Sequence, residues 1–166
     1  MSIFKPNELL SHYNDFDIDG HIKSGFNAVL IDIDNTLDYP DSLNPGTKEA
    51  FDFLDRLTKA GFKVVILSNN TKKRVLRFLD GHKYDYLYWS FKPLPFCYLK
   101  AIKRFNLDKT KTISFGDQIL TDCMGANNLG IYTVYVKQLV EKDNYKTVIN
   151  RAIEKQIFKH ILHEKV

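Results

Sequence analysis

Short apolar runs alternate along the chain with stretches of helical spacing. The runs are rich in β-branched and aromatic residues, as is typical of strands buried on both faces. These predicted strands lie at residues 28–33, 62–67, 112–115 and 131–136, with a weaker one at 86–89. The predicted helices between them lie at residues 47–60, 71–79, 95–105 and 122–129. This alternation favours a parallel sheet with right-handed crossovers and helices on both faces, which is a doubly wound α/β fold.

Length and composition restrict the class of protein. The 166 residues predict about one domain, and we expect residues 1–166 to form it. The 44% of hydrophobic residues supply the material for one buried core. The longest apolar stretches are far shorter than the roughly 20 residues of a membrane-spanning helix. The first residues lack the basic start and apolar block of a secretory signal, so we expect a cytoplasmic protein.

The cysteines, the net charge and the missing glycine-rich loops restrict the ligands and cofactors that we expect. Cys97 and Cys123 show no Cys-x-x-Cys spacing, so we interpret both as reduced, packed thiols. The net charge of +4 favours anionic partners without requiring nucleic acid, and no nucleic-acid partner is expected. Neither a Gly-x-Gly-x-x-Gly run nor a Gly-Lys-Ser/Thr loop occurs, so a bound dinucleotide or ATP is not expected.

Polar side chains follow each predicted strand, at the edge where a doubly wound sheet binds its ligands. They are Asp32, Asp34, Asn35 and Thr36 after the first strand, Ser68, Asn69 and Asn70 after the second, Lys92 after the weak third, and Gly116, Asp117, Gln118 and Asp122 after the fourth. Asp32 and Asp34 are two apart on an extended segment, so their side chains share a face. Two carboxylates so placed need compensation by cations, which Mg²⁺ and Lys92 would provide, with Asp117 as a further oxygen ligand.

Each of these residues also has an ordinary structural explanation. Asp32 and Asp34 could simply begin a turn, because Asp favours turns. Ser68 could cap a helix, and Lys92 could be a solvated surface lysine. Their joint occurrence, in this order and each at a predicted strand end, favours a phosphoryl-transfer site instead.

Four segments resemble the motifs of the haloacid dehalogenase superfamily of phosphatases. They are Asp32-Ile33-Asp34-Asn35-Thr36-Leu37, Ser68-Asn69, Lys92-Pro93 and Gly116-Asp117-Gln118-x-x-Thr121-Asp122. The resemblance spans about residues 26–136, and these motif variants are those of the capless members, which implies a capless, Rossmann-like core. More closely, the chain resembles the YqeG branch, which is similar to mitochondrial phosphatidylglycerophosphate phosphatases. The segment Asn150-Arg151-x-x-Glu154 also resembles that branch.

The resemblance implies catalytic roles for three residues. Asp32 would be the nucleophile that forms an aspartyl-phosphate, and Asp34 would be the general acid and then the general base. Lys92 would neutralise charge on the phosphoryl group.

The resemblance also implies residues that bind substrate and metal. On the substrate side, Thr36 would hold the loop that bears both carboxylates, Ser68 would cradle the phosphoryl oxygens, and Asn69 would orient a substrate group. The Mg²⁺ ligands would be the Asp32 and Asp117 side chains and the Asp34 carbonyl, with Asp122 as a nearby ligand or supporting residue.

An inserted cap domain does not fit the spacing of the motifs. Residues 37–67 and 70–91 each leave room for little more than a loop, a helix and a strand. A site without a lid favours a large phosphorylated substrate, and the resemblance points to a phospholipid headgroup, phosphatidylglycerophosphate. Residues 38–46 are either a flap over the site or a surface loop.

The two ends of the chain carry amphipathic stretches. A basic helix is predicted at about 141–163, where Arg151, Lys155 and Lys159 repeat every four residues. This helix either contacts anionic lipid at the inner face of a membrane, as a peripheral attachment, or closes the sheet with a solvated basic face. Phe4, Leu9, Leu10 and Tyr13 form a second piece that is either packed or membrane-facing.

Other functions remain open from the sequence. A phosphatase of this superfamily could act on a protein, nucleotide or sugar phosphate instead of a lipid. A non-catalytic phospho-receiver also combines acidic residues, a hydroxyl and a lysine, but in receivers the phosphorylated Asp follows an earlier acidic pair, whereas here the Asp-x-Asp pair opens the series. An inactive scaffold is disfavoured because no motif position is substituted. The oligomeric state is left open.

Overall fold

The computed structural model describes residues 3–40, 42–140 and 159, and these residues build a parallel sheet. Its strands are β1 (Glu8–Leu10), β2 (Ala28–Ile31), β3 (Lys63–Leu67), β4 (Asp85–Leu87), β5 (Thr112–Gly116) and β6 (Tyr132–Val136). Their order across the sheet is β1-β6-β5-β2-β3-β4, and each neighbouring pair is parallel. The strand order steps in opposite directions from β2, so the sheet is doubly wound as predicted.

The helices connect the strands as crossovers. They are α1 (Ile18–Lys23), α2 (Lys48–Ala60), α3 (Lys72–Leu79), α4 (Pro95–Arg104) and α5 (Met124–Asn127), with single 3₁₀ turns at Tyr13–Asp15 and Lys109–Lys111 and a π-helical turn at Ile119–Cys123 that leads into α5. The predicted helix boundaries agree with the structure where a capping residue marks the end of the helix. The Thr47 and Thr71 hydroxyls accept hydrogen bonds from Ala50 and Arg74 amides at the starts of α2 and α3. Gly61, at φ 106°, ends α2 in the left-handed conformation that glycine adopts without strain.

Alternate residues of the central strand β2 enter the core on opposite faces of the sheet. Val29 and Ile31 pack in one cluster, with Phe53 of α2 and Phe115 of β5, whereas Leu30 packs in the other. All four residues of β2 are buried, because helices cover both faces. The continuous apolar run that predicted this strand follows from that double coverage.

Several elements differ from the sequence-based prediction. Residues 4–13 contribute the edge strand β1, which pairs with β6 and is only three residues long, too short for a period-two pattern to show. Its position depends on Asn7, whose side-chain oxygen accepts from the Thr133 amide at 2.8 Å. Helix α1 was not predicted. The predicted helix at 122–129 begins earlier, as the π-helical turn, and ends at Asn127.

The predicted basic helix at about 141–163 lies outside the described residues, except that Lys159 is helical and exposed. Among the described residues, no helix is long and apolar enough to cross a membrane.

Candidate active site

The four sequence motifs meet at the carboxyl edge of the sheet. Asp32 follows β2, and its amide donates to the Phe115 carbonyl at 3.1 Å, which extends the ladder with β5. Ser68 directly follows β3, and Asp117 directly follows β5. Lys92 lies five residues beyond β4. Because all these strands are parallel neighbours, their carboxyl ends bring residues from four separate segments to one place.

A tight turn holds the loop that carries Asp32 and Asp34. The Ile33 carbonyl accepts hydrogen bonds from three successive amides, those of Thr36, Leu37 and Asp38, at 3.2, 2.8 and 3.0 Å. Asn35 adopts φ 65° in this turn, a conformation that Asn tolerates better than most residues. The Thr36 side chain is fully buried. A role of Thr36 in holding the loop stays a prediction.

Lys92 bridges two buried carboxylates. Its Nζ lies 2.8 Å from Asp32 Oδ1 and 2.6 Å from Asp122 Oδ1, and its side chain is only 3% exposed. Burial lowers the pKa of Lys92, but the negative charges of Asp122 and Asp32 outweigh it, so the pKa stands above its ordinary value. The ammonium is therefore charged at any working pH.

At Asp32, unlike at Lys92, the effect of burial on the pKa outweighs the effect of the oppositely charged neighbour. Burial raises its pKa to about 7, Lys92 opposes this rise, and the neighbouring Asp122 and Asp34 add to it. The site therefore holds more negative charge than one lysine neutralises.

A cluster of three buried carboxylates fits a divalent cation. Oxygens of Asp32, Asp117 and Asp122 all lie within 4.8 Å of one another, and the three residues are at most 8% exposed. Hard oxygen ligands are what Mg²⁺ prefers, and a divalent charge would offset the excess of carboxylates. Asp122 already accepts from Lys92, from the Gln118 amide and from the Thr121 hydroxyl. Direct ligation of Mg²⁺ by Asp32 and Asp117, with Asp122 as a nearby ligand or supporting residue, stays a prediction.

The Asp34 carboxylate is held away from this cluster by a residue that the sequence analysis missed. Arg74 of α3 donates to Asp34 Oδ1 through Nε at 3.0 Å and through Nη2 at 2.8 Å. Nη2 also reaches Asp38 Oδ2 at 2.9 Å and the Tyr39 carbonyl at 3.3 Å. Asn70 Nδ2 donates to the other Asp34 oxygen at 3.2 Å. Asp34 thus has its own cation, separate from the one that contacts Asp32.

Arg74 left one signal in the sequence. The buried residues of α3 are Arg74, Val75, Phe78 and Leu79, so a cation occupies the apolar stripe of this helix. A charged side chain at such a position is almost never fully buried unless it is paired. The partner, Asp34, is 40 residues away in sequence and could not be named from the pattern.

Ser68 and Asn69 shape the loops of the site. The Asn69 side chain and the Lys92 backbone exchange two hydrogen bonds, from the Lys92 amide at 2.7 Å and to the Lys92 carbonyl at 3.0 Å. The buried Ser68 hydroxyl accepts from the Asn70 amide at 3.0 Å. Asn69 therefore positions Lys92, while substrate binding by Asn69 and Ser68 stays a prediction.

The loop at residues 38–46 is attached to α3 at two points, although residue 41 is not described. Arg74 holds Asp38, and Arg77 Nη1 donates to the Ser42 carbonyl at 3.1 Å. Tyr39, between the two attachments, and Leu43, after the second one, are exposed. The loop therefore starts beside Asp34, through the shared contact with Arg74, and its exposed tip fits both a flap and a surface loop.

Comparison with known proteins agrees with this geometry. Residues 18–130 match the family of haloacid dehalogenase-like hydrolases. The chain belongs to this family. It is 32% identical over 130 residues to "Probable phosphatase YqeG" of Bacillus subtilis (strain 168), a match that covers 78% of this chain and 75% of that protein. This relationship makes the chain a YqeG-like member and a phosphatase.

Two further similarities are more distant. The chain is 28% identical to "Glyceraldehyde 3-phosphate phosphatase" of Pyrococcus abyssi (strain GE5 / Orsay), over 56% of this chain and 42% of that protein. A crystal structure of an uncharacterized protein from Listeria monocytogenes serotype 4b shares the fold, with a TM-score of 0.58 at 22% identity over 72% of this chain and 85% of that one. Membership of a hydrolase family with phosphatase relatives favours an enzyme over the receiver-like module.

Gly116 leaves the space that Asp122 occupies, and this predicts a sensitive position. A Cβ on Gly116 would lie 2.1 Å from Asp122 Cγ, so Gly116→Ala must displace the Asp122 carboxylate and with it Lys92. We expect kcat with an aryl phosphate to fall about 100-fold, because a displacement of about 1 Å in a catalytic group has that effect.

The matched control is Gly81→Ala, where the added Cβ meets open space. Gly81 has φ +86°, so this variant should lose about 1–2 kcal/mol of stability and keep its activity. Thermal unfolding and kcat measured on both variants separate the two effects. Near-normal turnover by Gly116→Ala would show that the site tolerates a displaced Asp122.

Proposed function

We propose that this phosphatase is a Mg²⁺-dependent phosphomonoesterase that acts through an aspartyl-phosphate on Asp32. The observation that supports it best is that the two carboxylates of one loop each contact a different cation. Asp32 lies against Lys92 and next to Asp117 and Asp122, whereas Asp34 lies against Arg74. Two carboxylates in different environments are suited to different chemical roles.

In the first step, an Asp32 oxygen attacks the phosphorus atom and the bond to the leaving alkoxide breaks. Asp34, in its protonated form, gives its proton to that alkoxide. Lys92 remains charged beside Asp32 and stabilises the negative charge that the phosphoryl oxygens carry in the transition state. The products of this step are the free alcohol and the acyl phosphate on Asp32.

In the second step, Asp34 is a carboxylate and takes a proton from water. The water oxygen attacks phosphorus, the bond between phosphorus and the Asp32 oxygen breaks, and inorganic phosphate leaves. The hydrogen bonds from Arg74 and Asn70 keep the Asp34 side chain in one orientation through both steps. Asp32 and Asp117 would hold Mg²⁺, which supplies positive charge to orient and neutralise the phosphate.

The substrate that we propose is a phospholipid headgroup, phosphatidylglycerophosphate, hydrolysed at the cytoplasmic face of a membrane. Two features support it. The segment between Leu37 and Leu67 consists, in its described part, of a loop, α2 and β3, so the site has no lid built from it. The YqeG-like motifs resemble the branch that is similar to phosphatidylglycerophosphate phosphatases. The relatives named for glyceraldehyde 3-phosphate make a triose phosphate the alternative to test.

The leaving group distinguishes the roles of Asp34 and Asp32. Asp34→Asn should reduce turnover of an alkyl phosphate far more than turnover of a nitrophenyl phosphate, because a good leaving group needs little protonation. Asp32→Asn, the matched control on the same loop, should abolish both activities because an amide is not a nucleophile for phosphorus. Single-turnover rates measure the effect. Equal losses on the two substrates would contradict the general-acid role of Asp34.

Metal removal tests the carboxylate cluster. We expect a chelator to abolish turnover and Mg²⁺ to restore it, with Asp117→Ala shifting the Mg²⁺ dependence to higher concentration. Asp19→Ala, which removes a carboxylate of α1 outside the cluster, should leave that dependence unchanged. The measurement is initial rate against free Mg²⁺. Full activity in excess chelator would refute the metal-dependent mechanism.

A substrate panel tests the lipid assignment separately from the phosphatase chemistry. We expect the highest kcat/KM with phosphatidylglycerophosphate in mixed vesicles, compared with glyceraldehyde 3-phosphate, a nucleotide monophosphate and a phosphopeptide. Phosphate release with Mg²⁺ is the readout, and Asp32→Asn gives the background. A preference for any soluble phosphate would reject the lipid substrate and leave the hydrolytic mechanism in place.

A further inference from the structure

A group of large apolar side chains is exposed beside the active site. Trp89, Phe91, Leu94 and Phe96 are each about half exposed, at 53, 56, 49 and 52%. We call these four residues the aromatic rim. The Trp89 and Phe91 rings are 6.3 Å apart between centroids, and the Phe91 and Phe96 rings are 6.4 Å apart, so these three rings form one contiguous patch. A contiguous patch of exposed apolar side chains often marks an interaction site, whereas single exposed apolar residues are common on any protein surface.

The rim belongs to the same loop as the catalytic lysine. Along the chain, Trp89 and Phe91 are exposed while Ser90 and Lys92 are buried. The Trp89 amide donates to the Asn70 carbonyl at 3.0 Å, and Asn70 in turn contacts Asp34. A molecule that covered the rim would therefore lie against the loop whose neighbouring residues contact Asp34 and Asp32.

Two residues of the rim have a strained backbone conformation. Trp89 and Phe91 adopt φ values of 48° and 59°, in the left-handed region that bulky residues rarely occupy. Strain of this kind persists where the surrounding structure imposes it and concentrates at functional sites. A smaller residue would fit this backbone better, so a purely structural role does not explain two aromatic residues here.

The two chain segments that border the rim carry only positive charges. Residues 86–107 contain no Asp or Glu, and neither do residues 69–79. The first of these segments includes α4, on which Phe96 and Leu99 are exposed together with Lys100 and Lys103. The second carries the exposed Lys72 and Lys73 at the start of α3, next in sequence to Asn70. Apolar side chains flanked by exposed cations complement the acyl boundary and the anionic headgroups of a phospholipid surface.

We propose that the aromatic rim docks the protein onto an anionic phospholipid bilayer, with Trp89, Phe91 and Phe96 entering the interface and Lys100 and Lys103 contacting the headgroups. Tryptophan is the residue most typical of the membrane–water interface. Docking through this loop brings the segment that carries Lys92 close to the bilayer surface. This docking deepens the proposed lipid function and rests on it for its purpose, but the binding itself is measured without any turnover.

Trp89 is the only tryptophan of the chain, so its fluorescence reports on the rim alone. The experiment adds vesicles of mixed phosphatidylcholine and phosphatidylglycerol, neither of which has a phosphomonoester, to the full-length protein. We expect Trp89 emission to shift to shorter wavelength and to become protected from acrylamide quenching. Vesicles of phosphatidylcholine alone should give a much smaller effect, because they lack the anionic charge.

Two double variants separate the contributions of the apolar and the basic side chains to vesicle binding. Phe91→Asn with Phe96→Gln keeps the Trp89 probe and places Asn in a left-handed position that it tolerates, and it should weaken vesicle binding at least about tenfold. Lys100→Gln with Lys103→Gln should weaken binding to anionic vesicles about fivefold per cation at low salt. Leu9→Thr is the matched control, since Leu9 is 48% exposed on β1 at the opposite edge of the sheet, and it should bind normally.

Several results would overturn this assignment. Trp89 emission that does not respond to anionic vesicles would refute it, as would equal losses from the rim and Leu9 variants. Emission that is already shifted and protected without vesicles would show that the chain itself, or a second copy of it, covers the rim. Vesicle binding without hydrolysis of phosphatidylglycerophosphate would reject the substrate and retain the docking surface. Hydrolysis of soluble phosphates without vesicle binding would reject the docking surface and retain the phosphatase chemistry.

Discussion

The buried ammonium group of Lys92 is the interaction on which the rest of the site depends. It is the cation that contacts both Asp32 and Asp122, and the three side chains are almost entirely removed from water. An unpaired charge in such a place would cost several kcal/mol, so each member of the group is tolerable only while the others are present. The surrounding structure accordingly keeps Lys92 in place from both sides. Asn69 bonds its backbone, and Gly116 leaves the space for the carboxylate that its side chain meets.

A second group of charged side chains, centred on Arg74, connects different parts of the site. Arg74 joins Asp34 to Asp38 and to the Tyr39 carbonyl, so it connects the proposed general acid to the loop at residues 38–46 and to α3. A planar guanidinium can make these directional contacts at once, which a lysine could not. The protein thus gives each carboxylate of the Asp-x-Asp pair a cation from a different segment. The two side chains are therefore held by different partners, although the charge of Asp34 still contributes to the raised pKa of Asp32.

The edge of the sheet that carries the candidate site also determines the surface around that site. Because β4 ends early, at Leu87, the residues from Tyr88 to Lys92 form a loop that places Lys92 inside and the aromatic residues outside. Chemistry and exposed surface are therefore coupled through a few residues of backbone. A single loop carries both Lys92, to which we assign the phosphoryl group, and the side chains that we assign to the lipid interface.

Much of this protein was determined by local sequence alone. Strands such as β2 and β3 are apolar throughout because both faces of the sheet are covered, and that composition is visible without a structure. Helices α2 and α3 begin where Thr47 and Thr71 cap them. The motif residues Asp32, Lys92 and Asp117 are recognisable because each follows a strand.

Tertiary structure alone decided the features that depend on distant partners. β1 exists because Glu8–Leu10 finds β6, more than 100 residues later, and three residues cannot show that in their own pattern. Arg74 became part of the site only when folding placed α3 beside Asp34. The exposure of Trp89 and Phe91 was hidden as well, because an aromatic residue in an apolar run reads as core. Local pattern determines which element forms, whereas packing determines which partner it meets and which side chain remains in water.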